Sequence, residues 1–322
     1  MTDLTSQLRM MVTEGHLDMP IPGTGQTAQR LLALHDLART RTVGLARLAE
    51  AHTDAVAICA EADTLPASAA VYGVWAAEIP GNQVTADLST GTMTGGKGFC
   101  SGLGIIDHAL VTCVDEDGRQ VLVDVDVRPA DTLSWDTGGW HSSALADTHT
   151  GQISFVGHPI SQLIAGADFY LDRPGFWHGA LGPAACWAGA ATGLADAAEH
   201  MTGPDPHRLA HLGSMRSAAW AMEASLRHAG NQVDAEPDDV VAARYRALAA
   251  RHTIERSCTD LLDHFSRSLG PRPFVGHAQV AQRYVDTHLY LRQDHAERDL
   301  QALAQLPHPG LSHPGLPDAA DD

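Results

Sequence analysis

The run Gly96-Lys97-Gly98-Phe99-Cys100-Ser101-Gly102 combines the residue types that suit a flat ligand. Phe99 offers a ring face and Ser101 a hydroxyl, and the glycines let a ligand come close to the backbone. The strand-like segment Asp107-His108-Ala109-Leu110-Val111 follows at once. A plain β-turn leading into a half-buried strand accounts for the same residues. On the heptapeptide alone, both readings stand.

The rest of the chain must position this stretch. Residues 1–20 read as mobile or marginal, and Pro20 to Gly25 as a turn. Leu31, Leu32, Leu34 and Leu37 fall at helical spacing behind Thr27, a candidate cap, and a second helix is expected from Val43 to Ala62. At Ala70 the hydrophobic period changes. Val71 to Ala77 reads as a buried strand, Val84–Leu88 and Gly91–Gly95 as a hairpin, and His108–Val114, Gln120–Val127, Thr132–Trp135 and Gln152–Val156 as further strands. At Arg173-Pro174-Gly175 the period returns to that of a helix. Helices are expected over Phe176–Met201, Leu209–Val233, Val240–Leu269 and Ala278–Leu303, joined by Pro- and Gly-containing turns.

Composition bounds the function. The balance of 21 Lys and Arg against 39 Asp and Glu gives a net charge of −18, which argues against a nucleic-acid partner. Cys59, Cys100, Cys113, Cys186 and Cys258 are dispersed without a C-x-x-C pair, the pattern of reduced thiols in a cytoplasmic protein. No apolar segment suits a signal peptide or reaches membrane-spanning length.

The order helix, β, helix, with Lys97-Gly98-Phe99-Cys100-Ser101 inside the β part, resembles the acyl-CoA dehydrogenase family across residues 22 to 305. In that family a strand of the form Lys-x-Trp-Ile-Thr/Ser lies against the flavin ring. Phe99 stands where that Trp stands and Ser101 where the hydroxyl stands, with Cys100 between them. Val74-Trp75-Ala76-Ala77-Glu78 is similar to a second flavin-facing strand and puts Trp75 near its Thr; Trp75 as plain core filler remains open. The resemblance implies an α+β chain with a shortened helical segment at 1–69 and a small antiparallel β domain at 70–172. A four-helix bundle at 173–306 and a disordered tail at 307–322 would complete it. It also implies FAD, α,β-dehydrogenation of an acyl-CoA or related thioester, an electron-transfer flavoprotein as electron partner, and a homodimer or homotetramer.

The departures from the family pattern bear on chemistry. Where relatives have Arg-x-x-Phe-Gly, this chain has Pro204 to His211, leaving only Arg208 and His211 to approach the flavin pyrophosphate of a neighbouring subunit. The family's Gly-Gly-x-Gly turn has become Leu269-Gly270-Pro271-Arg272-Pro273, in which two prolines lack amide donors and Arg272 offers charge instead. Counting on to the family's catalytic Glu lands on Asp294-His295. Asp294 is then a shortened base, and His295 is similar to a His of flavin monooxygenases built on this fold. A solvated helix face with an Asp294–Arg298 pair explains the same residues. Trp135 to Ser143 resembles a turn that shapes the sheet, and His178 is either a pocket residue or a structural one. Two alternatives to the dehydrogenase therefore stand: a flavin-dependent monooxygenase on the same fold, and a catalytically degenerate subunit that partners an active paralogue.

Overall fold

Residues 3–79 and 81–307 are described by the computed structural model; all but the first residue of the tail expected to be disordered lies outside them. The N-terminus differs from the expectation of a marginal segment. It forms α1 (Leu4–Thr13), because Asp3 accepts the Ser6 amide at 2.7 Å and Leu8 and Met11 bury against the core. Helices α2 (Thr27–Thr40) and α3 (Val43–Glu61) follow. Thr27 is the first residue of α2 and not its cap; its hydroxyl donates to Asp234 at 2.5 Å and accepts the Gly23 amide.

Among the described residues eight strands form one sheet: β1 (Tyr72–Trp75), β2 (Val84–Asp87), β3 (Thr92–Cys100), β4 (His108–Val114), β5 (Gln120–Asp126), β6 (Leu133–Asp136), β7 (Gly151–Pro159) and β8 (Gln162–Ala165). The order is β6-β7-β3-β2-β4-β5-β8, with β1 beside β4. The expected antiparallel sheet is in fact mixed, since β1 and β2 both run parallel to β4. The physical reason lies in the loop before β4: the amides of Asp107 and His108 both donate to Val71 O, which sets β4 alongside β1 in the same direction. Both strands are buried along most of their length, as parallel neighbours usually are.

After α4 (Phe169–Asp172) and α5 (Pro174–Gly179) come the long helices α6 (Leu181–Met201), α7 (Pro206–Ala235) and α8 (Val240–Leu269). The last expected helix is broken. Helix α9 (Arg272–Gly276) precedes α10 (Ala278–Tyr290), a 3-10 turn spans Leu291–Gln293, and α11 (Glu297–Gln305) starts only after Ala296, whose φ of 47° no helix accepts. The bundle core is built on α2, α6, α7, α8 and α10, and a second core fills the space between α1, α3 and the sheet.

Helices α2 and α6 approach closely at Gly189, where a Cβ would overlap the carbonyl oxygen of His35. Backbone cannot yield there as a flexible side chain can. Gly189→Ala is expected to destabilise the protein by about 1–3 kcal/mol. Denaturant unfolding checks this, and an unchanged midpoint would mean that the two helices separate at little cost.

Candidate active site

The site begins with a register break in β3. Lys97 pairs with Ile153 and Cys100 with Gly151 on β7, and the ladder shifts between them. The Lys97 side chain is 1% exposed, and its ammonium donates to Glu78 Oε1 at 2.5 Å and to Thr112 O and Oγ1 at 2.8 Å each. β2 pairs with β3 only as far as Gly95, so this ammonium joins β3 to β4 where β2 has ended. In the bulge Phe99 takes φ 53°, a conformation that costs a side-chain-bearing residue roughly 1–2 kcal/mol. The result is a phenyl ring 66% exposed and a Cys100 thiol fully buried, its pKa pushed up to about 12 by burial.

Phe99 lines a cavity of about 910 Å³ between the sheet, α3 and the bundle, together with Trp75, Ser101, Trp140 and His295. Trp75 is buried, and its Nε1 donates to Ser101 O at 3.0 Å. The Ser101 hydroxyl belongs to a chain of hydroxyls. Thr148 donates to Leu145 O at 2.7 Å, so it accepts from Thr150, which in turn accepts from Ser101, each contact being 2.8 Å. The Ser101 proton is thereby committed to Thr150. Its oxygen accepts from Arg47 at 3.0 Å, and this holds the Arg47 guanidinium over the ring of Tyr290.

Helix α3 supplies the charged wall. Arg47, Glu50 and Asp54 fall at i, i+3 and i+7 and all line the cavity. Gly182 and Gly179 make room for the two carboxyls, since a Cβ at either glycine would lie 2.5 Å from Glu50 or Asp54 respectively. Burial, and then the neighbouring Asp54, raises the Glu50 carboxyl to about 8, against the pull of Arg47, Arg30 and Arg251. Burial raises Asp54 as well. Glu50 can therefore hold a proton at neutral pH on the cavity wall.

The residues singled out from sequence separate into two groups. Trp75, Phe99, Ser101 and His295 share the cavity. Cys100 lies behind its floor, and Arg208 and Arg272 are exposed on the bundle and line neither this cavity nor the larger one of about 1550 Å³ between α1, α2, α6 and α10. Asp294 does not line the cavity either. The helix expected to carry it has ended, and Asp294 sits in the extended link before α11 with Oδ2 accepting the Ala296 amide at 3.1 Å. His295 instead stands 3.4 Å from Asp299. His178 is structural: buried, and 2.9 Å from Pro237 O.

Sequence reasoning missed Arg47, Glu50, Asp54, Trp140, Tyr170 and Trp177, all on the cavity wall. A signal for three of them existed. Charges at helical spacing on the inward face of an otherwise apolar α3 are costly unless they serve a site.

Glu50 should leave a pH signature. Its folded-state pKa lies above the ordinary 4.5, so between about 4.5 and 8 the unfolded chain releases a proton that the folded chain keeps. Stability from this group is complete below that window and is lost as pH rises through it. Glu50→Gln is expected to flatten the decline, with a melting temperature at or above wild type beyond pH 8. Parallel melting curves across the window would mean that Glu50 is already ionised.

No family model matches the sequence, and no curated protein matches it. The fold does match solved structures. KijD3, solved with FMN and a dTDP-linked amino-keto sugar, is 15% identical over 94% of this chain and 86% of its own, with a TM-score of 0.77. FMN-bound TdsC from Paenibacillus sp. A11-2 is 17% identical over 95% and 97%, with a TM-score of 0.73. The methanesulfinate monooxygenase MsuC from Pseudomonas fluorescens is 15% identical over 95% and 96%, also at 0.73. The α+β chain described above has the acyl-CoA dehydrogenase-like fold.

Proposed function

We propose that the chain is a flavin-dependent monooxygenase of small molecules that binds FMN in the cavity beside Phe99, rather than an acyl-CoA dehydrogenase that uses FAD. The observation that carries this is Phe99 itself. A strained bulge holds a large aromatic ring out of the core and into a cavity whose volume falls within the about 300–1,000 Å³ usual for ligand sites. A planar ring system is the ligand such a face suits, and Trp75, Trp140 and Tyr290 add to the aromatic lining.

Two features favour the smaller cofactor and the second chemistry. At the turn where relatives of the acyl-CoA dehydrogenase type meet a pyrophosphate, Pro271 and Pro273 have no amide, and those of Gly270, Phe274 and Val275 donate within the turn or to the end of α8. FMN has no pyrophosphate to support. The position expected to supply a carboxylate base offers the cavity His295 instead, while Asp294 is turned into the link before α11. The structural neighbours bound to FMN, and those named as monooxygenases, agree with this reading.

A bound reduced flavin supplies the electrons that activate dioxygen for transfer to a substrate. The chain's own part is to exclude water, orient the substrate and manage protons. His295, exposed to the cavity and oriented by Asp299, exchanges protons with the substrate side. Glu50 holds one on the opposite wall, and Arg47, fixed by Ser101, offers a cation to developing negative charge.

Titration of the purified protein with FMN and FAD, read by quenching of flavin fluorescence, should show FMN binding at least as tightly as FAD. Phe99→Ala should weaken FMN by up to about tenfold, the value of a lost aromatic contact. Failure of either flavin to bind would sink the enzyme reading and favour the non-catalytic subunit.

In a preparation that oxidises indole, a ligand found with FMN in TdsC, His295→Ala should lower turnover by about 10²–10⁴-fold. Asp294→Asn should change it less than about tenfold. The reverse ranking would restore Asp294 as the base.

A further inference from the structure

Six arginines line the cavity: Arg47, Arg173, Arg244, Arg251, Arg292 and Arg298. Four of them have acceptors inside the protein. Arg47 donates to Ser101, Arg173 pairs with Glu61 at 2.5 Å, Arg251 donates to the carbonyls of Ala180 and Gln293, and Arg292 pairs with Glu255 at 2.7 Å. The side chains of Arg244 and Arg298 have none among the described residues. Arg244 lies near the start of α8 with its guanidinium 5.3 Å over the ring of Trp177, and its Nε is buried without a hydrogen-bond partner. Arg298 lies in the first turn of α11, which packs against α8.

A buried guanidinium N–H without an acceptor is uncommon. The Nε of Arg173 and of Arg246 share that feature, but their Nη groups are met by Glu61 and Glu236, whereas no part of the Arg244 guanidinium has an acceptor among the described residues. The cavity's own carboxylates do not answer it. Asp299 is paired with His295, and Glu50 and Asp54 sit at Gly182 and Gly179, where their nearest arginines are Arg30, Arg47, Arg173 and Arg251. A chain of net charge −18 repels anions in general, so a cationic spot walled by an indole selects for an anion with an apolar body.

We infer that Arg244, assisted by Arg298, forms an oxyanion subsite of the cavity, and that the ligand it takes carries a carboxylate, sulfinate or phosphate group on an apolar body packed near Trp177. The inference rests on the reading of this cavity as the reaction site and names the chemical class it accepts. The oxyanion has two possible sources, the substrate and the phosphate of the flavin.

Calorimetric titration with indole, indole-3-carboxylate, riboflavin and FMN separates them. The wild-type protein is expected to prefer indole-3-carboxylate to indole. Arg244→Gln should weaken indole-3-carboxylate by about tenfold to a hundredfold, the range for a charged contact. The same variant should leave indole and both flavins unchanged, and Arg244→Lys should recover part of the loss. Weakening of FMN but not of riboflavin would assign the oxyanion to the cofactor's phosphate and overturn the substrate half. An Arg244→Gln variant that binds all four probes as wild type does, or a wild-type protein that binds neither indole-3-carboxylate nor FMN, would overturn the subsite. Wild-type binding of indole-3-carboxylate without any flavin would keep the subsite and remove the flavin reading.

Discussion

The buried ammonium of Lys97 is the constraint on which the cavity floor depends. Removing such a charge from water costs several kcal/mol unless its protons are met, and three acceptors meet them here: one oxygen of Glu78 and two of Thr112. Those acceptors lie on or beside strands other than β3, so β3 can satisfy its lysine only at one register. The three residues that follow must then reach Cys100, whose side chain points back into the core. The chain absorbs the mismatch as a bulge, and Phe99 emerges into the cavity in a left-handed conformation. A residue read as a ligand platform is thus exposed by the demands of a lysine two positions earlier.

Helix α3 closes the cavity from the other side and does so with ionisable groups. In a low-dielectric wall, carboxyls and guanidiniums act strongly on one another. Arg30, Arg47 and Arg251 draw Glu50 toward ionisation, yet burial and Asp54 outweigh them. The small residues of α5 and α6 permit this arrangement. With larger side chains at Gly179 and Gly182, both carboxyls would be pushed aside. The glycines and alanines that let helices approach one another in the bundle therefore also shape the site.

The broken end of the bundle supplies the third wall. Helix α10 stops at Tyr290, which is buried against Trp187 with ring centroids 6.1 Å apart. The chain then turns through Leu291–Gln293, and Arg251 fastens the turn by donating to Gln293 O. This break brings His295 to the cavity and leaves Asp294 in a tight side-chain-to-backbone turn. A continuous helix would instead have carried Asp294 and His295 one turn beyond Tyr290 and Leu291, on the same buried face.

The sequence by itself determined the order of the elements. Period changes at Ala70 and Arg173 marked where helices give way to strands and back, because alternation and helical spacing are local properties of which face is buried. The Lys97–Ser101 stretch was legible for the same reason: its residue types sit in a recognisable local order. What only the tertiary structure decided are matters of long-range partnership. The direction of β4 depends on Val71, the proton of Ser101 on Thr150, and the ionisation of Glu50 on glycines well over a hundred residues away. The end of α10 likewise depends on buried contacts to α6 and α8 that no local pattern records. Helical periodicity runs on through residues 291–296 in the sequence, but the packing of Tyr290 and Leu291 and the anchoring of the turn by Arg251 end the helix there.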